Sequence, residues 1–271
     1  MKPSLFYFIL IEAVLLFALY GCGRAAATPI ADSLGVEASR TATTSGLITE
    51  TETASSSTAT PSPTATQTPT PTLKVSLNGT SLEGMDDQGT LFTDHKLGYQ
   101  LTFPSGWLPV RINEDEYYKA FSLEAVAGNP TFVKFLTILQ NQDSNYVRVT
   151  ALDIRPEQAE KGFVSGMTVV LQPETDVTVE EWAETESTRA NAEGYQLLSL
   201  GFEETASGTR VLIREESWDS SPEKKVYRKR VYFSLPSGVL TIDFETGLDA
   251  KEALLPEFDQ VINSFTMLNQ P

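Results

Sequence analysis

The sequence predicts an α+β protein in which a central antiparallel sheet is covered by helices, preceded by a signal peptide and a disordered linker. Apolar and polar residues alternate in several segments of the C-terminal part of the chain, as they do in half-buried strands. Two further segments carry apolar residues at the spacing of an amphipathic helix. We therefore divide the chain into a signal peptide (1–21), a linker (22–88) and a folded domain (89–271).

The chain begins with Lys2 and a nearly continuous apolar run from Leu5 to Leu19, the layout of a secretory signal. Glu12 interrupts the run. A charge near the centre of a membrane helix costs about 2.5–3.5 kcal/mol, whereas each Leu, Ile, Phe or Val returns about 0.3–0.6 kcal/mol. The apolar residues together outweigh one glutamate, so we expect the segment to enter a membrane.

The residues that end this run, Leu19 to Cys22, read LYGC and resemble the bacterial lipobox. The resemblance implies cleavage before Cys22 and a diacylglycerol on its thiol. Cys22 is the only cysteine of the chain, and two or three acyl chains anchor a protein stably. We predict lipidation of Cys22 and attachment to the outer face of the cell membrane. An uncleaved N-terminal membrane helix and an ordinary signal with an incidental cysteine remain alternatives.

From about Arg24 to Thr72 the chain consists mainly of Ala, Ser, Thr and Pro. Such a composition offers little apolar surface to offset the entropy of ordering, and its prolines favour extended conformations. The segment is predicted to be a tether that holds a domain away from the lipid, and its composition also suits O-glycosylation.

The chain is acidic, with 20 basic and 36 acidic residues and a formal net charge of −16. From Asp86 onward it has 16 basic and 30 acidic residues, a formal charge of −14. We therefore do not expect nucleic acid as a partner, because phosphate binding requires a basic surface. One cysteine and one histidine, His95, also exclude disulfides within the chain and zinc sites of the Cys/His kind.

Several elements are predicted in the first half of the domain. LFTDHKLGYQLTF reads as a two-stranded hairpin, and Pro104 to Gly106 end its second strand in a turn, with Trp107 covering the edge of the core. A strand is expected from Tyr146 to Ile154. The apolar run FVKFLTIL before it fits either a helix or a strand.

Thr178 and Glu181 form a capping-box pattern before a helix whose inward face would carry Val179, Trp182 and Ala183. Four strands follow with short connections and predict an antiparallel meander: YQLLSLGFEE, TRVLIREESW, KVYRKRVYFSL and GVLTIDFET. The chain closes with a predicted helix that bears apolar residues at positions 258, 261, 262 and 265.

GYQLTFPSGW, VEEWAE, the strand meander and VINSFTML resemble bacterial lipoproteins with a PsbP-like domain, the fold of an extrinsic subunit of photosystem II. The likeness spans roughly residues 90 to 268 and involves packing and turn residues. It implies the fold and says little about activity. No ligand residues match, so the manganese and calcium association of that subunit is not carried over.

The sequence contains no complete catalytic motif. His95 lies in a predicted tight turn without a nucleophile signature, and GFVSG misses the G-x-S-x-G pattern by one position. Carboxylates are abundant, but we expect most of them to be solvated. No catalytic residue, metal site or cofactor is predicted. The carboxylates considered as catalytic pairs are Glu180, Glu181, Glu184, Glu186, Glu203, Glu204, Glu215 and Glu216.

One dense basic run stands against this acidic background, KKVYRKR, with Lys224, Lys225, Arg228, Lys229 and Arg230. It could form a surface for an anionic glycan, a phosphate-bearing polymer or an envelope protein. Alternatively, it pairs with the preceding acidic strand REESWD, because opposite charges across strands contribute about 0.2–1 kcal/mol per pair. A hairpin about Ser220–Ser221 would place Glu216 opposite Lys225. The second interpretation is favoured.

These observations predict a membrane-anchored extracytoplasmic lipoprotein with a non-catalytic binding or accessory domain, whose partner would be an envelope protein or glycan. Two alternatives remain. A hydrolase would need two carboxylates in a cleft, and a solute-binding or sensor lipoprotein would need a sizeable pocket with converging polar groups.

Overall fold

The computed structural model describes residues 73–156, 163–173, 178–192 and 195–268. The predicted signal peptide, Cys22 and most of the predicted linker lie outside these residues. The described part of the chain forms two antiparallel sheets and five α-helices. The predicted α+β class with an antiparallel sheet covered by helices is confirmed.

The smaller sheet contains the predicted hairpin. Its strands are β1 (Thr80–Gly84), β2 (Thr90–Asp94), β3 (Tyr99–Phe103) and β11 (Thr266–Met267), in the order β1-β2-β3-β11, and a 3₁₀ turn (Asp86–Gln88) follows β1. β1 lies inside the segment predicted as linker. It pairs with β2 along its whole length, and Thr80 and Ser81 are buried. The predicted boundary at residue 89 is therefore too late, because this strand carries few apolar residues to mark it.

The larger sheet has seven strands, in the order β4-β5-β6-β10-β9-β8-β7. The predicted meander is confirmed in the adjacent strands β7 to β10. The sequence did not predict β4 and β6. The strands are β4 (Trp107–Val110), β5 (Val147–Asp153), β6 (Gly166–Gln172), β7 (Gln196–Glu204), β8 (Arg210–Ser221), β9 (Lys224–Leu235) and β10 (Gly238–Gly247).

The helices are α1 (Asp115–Ala120), α2 (Glu124–Ala127), α3 (Pro130–Leu139), α4 (Val179–Ala192) and α5 (Lys251–Ser264). The ambiguous run FVKFLTIL is helical in α3, where the Asn129 side chain accepts a hydrogen bond from the Thr131 amide and Pro130 takes the first turn.

The capping box before α4 is present. The amide of Thr178 donates to Glu181 Oε2 at 2.9 Å, and the amide of Glu181 donates to Thr178 Oγ1 at 3.2 Å. Val179 and Trp182 are buried, so the predicted inward face of this helix is confirmed.

Helices cover both faces of the larger sheet. One face packs against α5 and the smaller sheet, with Ile242 and Phe244 beside Phe258 and Val261. The opposite face is covered by α1 to α3 over one group of strands and by α4 over another. Because side chains alternate along a strand, successive residues of β9 enter these two different environments.

A buried ion pair connects the two sheets. Arg148 on β5 donates through Nε to Asp94 Oδ2 at 2.7 Å and through Nη2 to the carbonyl of Asn78 at 2.9 Å. Asp94 Oδ1 also accepts hydrogen bonds from the amides of Lys96 and Leu97. The hairpin turn and the larger sheet are thereby held together.

Candidate anion-binding site

The basic run KKVYRKR lies along the first half of β9, where its five cations separate into three environments. Arg228 and Arg230 point toward the face covered by α4 and are each 1% exposed. Lys229 points toward α5 and is also buried. Lys224 and Lys225 are exposed at the hairpin end of the strand. The surface considered from the sequence therefore consists of two exposed lysines and three buried cations.

The buried arginines of β9 are paired with carboxylates of the neighbouring strands. Arg228 donates through Nε to Glu245 Oε1 at 2.7 Å and through Nη1 to Glu216 Oε1 at 3.0 Å. Arg230 Nε donates to Asp243 Oδ1 at 2.5 Å. These arginines stabilise the sheet, because removing one partner of a buried ion pair leaves an uncompensated charge.

Arg214 on β8 completes the buried network from the adjacent strand. Its guanidinium forms ion pairs with Glu186 of α4 and with Glu216, and all three side chains are 0% exposed. Burial lowers the pKa of Arg214, but the nearby Glu216 and Glu186 outweigh it, and the net direction is upward. Two of the carboxylates considered for catalysis thus meet, but on either side of an arginine rather than in an open cleft.

The third buried cation of β9, Lys229, lies on the face of the larger sheet that packs against α5. Lys229 Nζ donates to Asp259 Oδ1 on α5 at 2.6 Å. Nearby, the Lys251 ammonium lies 4.5 Å from the centre of the Tyr227 ring. These contacts attach α5 to the larger sheet.

The predicted hairpin register was wrong by three residues. Glu216 lies opposite Arg228 and Ser217 opposite Tyr227, whereas Asp219 lies opposite Lys225. β8 continues to Ser221, so the connection is formed by Pro222 and Glu223. Cross-strand pairing of opposite charges, the favoured interpretation, nevertheless holds in the correct register.

The two exposed lysines line a pocket at the end of the larger sheet. Its volume is about 600 Å³, and it lies where the β8–β9 hairpin, the β10–α5 connection and the start of β6 meet. The Leu248 amide donates to the Lys225 carbonyl at 2.9 Å and ties the hairpin to the connection. The lining consists of Phe163, Ser165, Pro222, Glu223, Lys224, Lys225, Gly247, Leu248, Asp249 and Ala250.

The pocket also contains the start of α5. Ala250 is the N-cap residue of this helix, and the amides of Lys251 and Ala253 donate to the carbonyls of Leu248 and Ala250. A helix N-terminus carries a partial positive charge, and here its N-cap residue lines the same pocket as Lys224 and Lys225. Glu223 and Asp249 contribute the opposing negative charges of the lining. Lys224, Lys225 and the helix N-terminus favour an anionic ligand at this pocket, and the two carboxylates oppose it.

The remaining candidates give no comparable site. His95 is exposed, and its Nε2 lies 2.9 Å from Ser81 Oγ, a neighbour that sequence reasoning missed because β1 was not predicted. Ser81 itself is buried. Among the described residues, no group of three His, Cys, Asp or Glu side chains could hold a metal ion. In the same part of the chain, no helix has the length and apolar character needed to span a bilayer.

No protein-family model matches the chain, and no curated protein matches it significantly. Solved structures with a similar course of the chain include the cyanobacterial PsbP protein CyanoP of Synechocystis, at 15% identity. That match covers 65% of this chain and 91% of CyanoP, with a TM-score of 0.41. LpqN of Mycobacterium tuberculosis, described as involved in cell envelope biogenesis, is 12% identical. Here 70% of this chain and 90% of LpqN are covered, with a TM-score of 0.39.

Proposed function

We propose that this chain is an extracytoplasmic lipoprotein, anchored through Cys22, whose domain binds an anionic envelope ligand without transforming it. The ligand class is a phosphate-bearing or otherwise anionic glycan. The pocket of about 600 Å³ with Lys224 and Lys225 in its lining is the observation that carries the proposal. The anchor and the tether rest on the lipobox-like LYGC and on the Ser/Thr/Pro-rich composition that follows it.

Size and charge both favour this pocket as the binding site. Ligand sites in proteins usually have volumes of about 300–1,000 Å³. From Asp86 onward the chain has a formal charge of −14, so an anion approaching most of the domain meets repulsion. Exposed ammonium groups at a concave surface, beside a helix N-terminus, supply the local attraction that the acidic surroundings lack.

The buried network argues against the hydrolase alternative. A glycoside hydrolase needs two carboxyl groups that reach the scissile bond and the attacking water. Glu186 and Glu216 are fully buried and form ion pairs with Arg214. Neither carboxyl group of this pair is open to a substrate, which supports binding over hydrolysis at this place in the sheet.

Titration of the detergent-solubilised full chain with a phosphate-bearing glycan oligomer tests the proposal. The double variant Lys224→Glu/Lys225→Glu should weaken binding at least about tenfold, equivalent to about 1.4 kcal/mol. The affinity should also fall with added salt, because both lysines are exposed. The same oligomer after removal of its phosphates is the ligand control.

The matched protein control is Lys96→Glu/Lys119→Glu, which makes the same charge change at two exposed lysines outside the pocket. This variant should keep its dissociation constant within about a factor of two of the parent. Equal losses of affinity in both double variants would show that net charge alone controls binding, and would refute the pocket as the binding site. Release of sugar or phosphate during the titration would favour the hydrolase instead.

The anchor is tested separately in cells. Cys22→Ala should abolish labelling by a clickable fatty acid and release the protein from the membrane fraction, because Cys22 is the only thiol that can be acylated. Membrane retention without labelling would contradict lipidation and favour the uncleaved helix.

A further inference from the structure

The aromatic residue and the lysines of the pocket come from strands that are not neighbours. Phe163 lies just before β6, and two residues later Ser165 Oγ is 2.8 Å from Thr246 Oγ1 on β10. Lys224 and Lys225 begin β9. Because β10 lies between β6 and β9 in the larger sheet, the segment with Phe163 and the segment with the lysines line different sides of the pocket.

The spacing of strands sets the width between these two sides. Hydrogen-bonded strands are about 4.8 Å apart, so the segments that extend β6 and β9 are separated by about 10 Å. The Leu248 amide donates to the Lys225 carbonyl at 2.9 Å, so this spacing continues past the end of β10. A pyranose ring followed by a phosphate group fits across such a width, whereas a phosphate group alone reaches only one side.

The side with Phe163 offers an apolar surface that a sugar ring can cover. Phe163 is half-buried, and Leu248, between the two sides, is 37% exposed. The negative face of an aromatic ring attracts positive edges, which include the polarised C–H groups of a sugar. Ligand pockets typically combine such apolar lining with a few polar groups that fix the orientation of the ligand.

The carboxylate of Asp249 lies between the two sides. A Cβ atom added at Gly247 would be 2.7 Å from Asp249 Oδ1, so the carboxylate lies over the end of β10. Asp249 is exposed. This carboxylate repels a phosphate, so it is unfavourable in a pocket that holds phosphate alone. It is a strong acceptor for hydroxyl groups, because an ionised carboxylate only accepts hydrogen bonds.

We propose that the pocket binds a glycosyl phosphate unit in one orientation. The sugar ring covers Phe163, a ring hydroxyl donates to Asp249, and the phosphate lies at Lys224 and Lys225. This inference rests on the proposed function. It goes further by naming the unit of the ligand that is recognised and by giving the carboxylate a role. A polymer whose phosphates are linked through glycerol has no ring and uses only the lysine side.

Titration of the detergent-solubilised full chain with two oligomers of equal charge tests the orientation. One oligomer alternates sugar rings with phosphates, and the other links its phosphates through glycerol. The ring-bearing oligomer should bind about tenfold more tightly. Phe163→Ala should remove most of this difference, because it weakens only the binding of the ring-bearing oligomer. Phe202→Ala is the matched control at an aromatic residue of β7 that is 39% exposed, and it should change neither affinity.

Asp249→Asn should act in opposite directions on the two oligomers. The substitution keeps the size of an exposed side chain, so it tests the proposal even if Phe163→Ala disturbs the fold. Loss of the charged acceptor should weaken binding of the ring-bearing oligomer about fivefold. Loss of the negative charge should strengthen binding of the glycerol oligomer about twofold. Glu83→Gln makes the same charge change at an exposed residue of β1, outside the pocket, and should alter neither affinity.

The double variant Lys224→Glu/Lys225→Glu distinguishes failure of this orientation from failure of the proposed function. If it weakens neither oligomer, the pocket is not the binding site and both proposals fail. If it weakens both oligomers while Phe163→Ala and Asp249→Asn affect the two oligomers alike, the pocket binds phosphate without recognising the ring. That result, or equal affinities of the parent chain for the two oligomers, would overturn the orientation and leave the proposed function standing.

Discussion

The two ends of the basic run on β9 have similar sequences and opposite environments. Lys224 and Lys225 are exposed beside a pocket, whereas Arg228 and Arg230 are 1% exposed and paired with carboxylates of β8 and β10. Only a few residues separate the two pairs. A cation therefore acquires its role from the strand it faces and the helix above it, and not from its membership of a basic run.

The difference has an energetic consequence. Buried ion pairs cost several kcal/mol per ion in lost hydration and regain it only through close geometry, so deleting one partner is severe. Exposed pairs contribute about 0–1 kcal/mol, since water and salt screen them. We expect the buried end to determine stability and the exposed end to determine binding, and each prediction below tests one side of that division.

The largest effect is expected at the buried end. Glu186→Ala leaves the buried Arg214 without one of its carboxylates and should reduce the free energy of unfolding by about 3–5 kcal/mol. Urea denaturation followed by circular dichroism measures it. Glu180→Ala is the matched control, because Glu180 is on the same helix but pairs with Arg210 at an exposed position, 3.0 Å away.

Glu180→Ala should cost less than about 1 kcal/mol. Similar losses in the two variants would mean that burial does not separate the two classes of ion pair, and the comparison would fail.

A smaller effect of opposite sign is expected at Tyr232, on the same face as the arginines. Its hydroxyl is buried and has no hydrogen-bond partner within the described part of the chain, and burial raises the pKa of Tyr232 well above its usual value. Tyr232→Phe removes the unsatisfied group, so stability should stay constant or rise by about 1 kcal/mol. Thermal denaturation checks this. A clear loss of stability would reveal a hydrogen bond that the network depends on.

Local patterns in the sequence were sufficient for several elements. The hairpin of β2 and β3, the capping box of α4 and the apolar spacing of α5 are each determined by neighbours in sequence. β1 was missed because it is nearly devoid of apolar residues and is stabilised by pairing with β2.

The candidate site could not be predicted from the sequence, because it depends on contacts between residues that are distant in the chain. In β9 the consecutive cations Arg228, Lys229 and Arg230 look solvated in the sequence, and only the covering helices and the neighbouring carboxylates make this stretch a buried one. Taking Ser220–Ser221 as the turn in place of Pro222–Glu223 shifts the register by four residues, and the bulge between Asp219 and Ser221 takes one back, which leaves the error of three. The pocket joins three segments that are distant in sequence, so no local pattern predicts it.

At the exposed end of the basic run, the charges of Lys224 and Lys225 should have almost no effect on the stability of the fold. Lys224→Glu/Lys225→Glu should change the free energy of unfolding by no more than about 0.5 kcal/mol, as usual for surface substitutions. Lys225 lies 3.8 Å from Asp219, but both side chains are more than 60% exposed. Urea denaturation in parallel with Glu186→Ala provides the comparison. A loss of several kcal/mol would show that these lysines also belong to the structural network.

The smallest effect concerns the exposed pair of Lys74 and Asp115. A hydrogen bond from Lys74 Nζ, 2.6 Å long, holds the pKa of Asp115 below its usual 3.8. A carboxyl group whose pKa is lower in the folded than in the unfolded chain stabilises the fold at any pH above the unfolded-state pKa. This stabilisation is lost as the pH falls through the folded-state pKa. Lys74→Gln should raise the pKa of Asp115 toward 3.8, measured by NMR titration. An unchanged pKa would contradict the pairing.

The most direct test of the division along β9 is backbone-amide NMR of the full chain during titration with the phosphate-bearing glycan oligomer. The account predicts shifts concentrated at the pocket, in Pro222-flanking residues of the hairpin, in Lys224 and Lys225, and in Gly247 to Ala250. It predicts little change around Arg214, Arg228 and Arg230. Shifts centred on the arginines, or none at saturating oligomer, would contradict it.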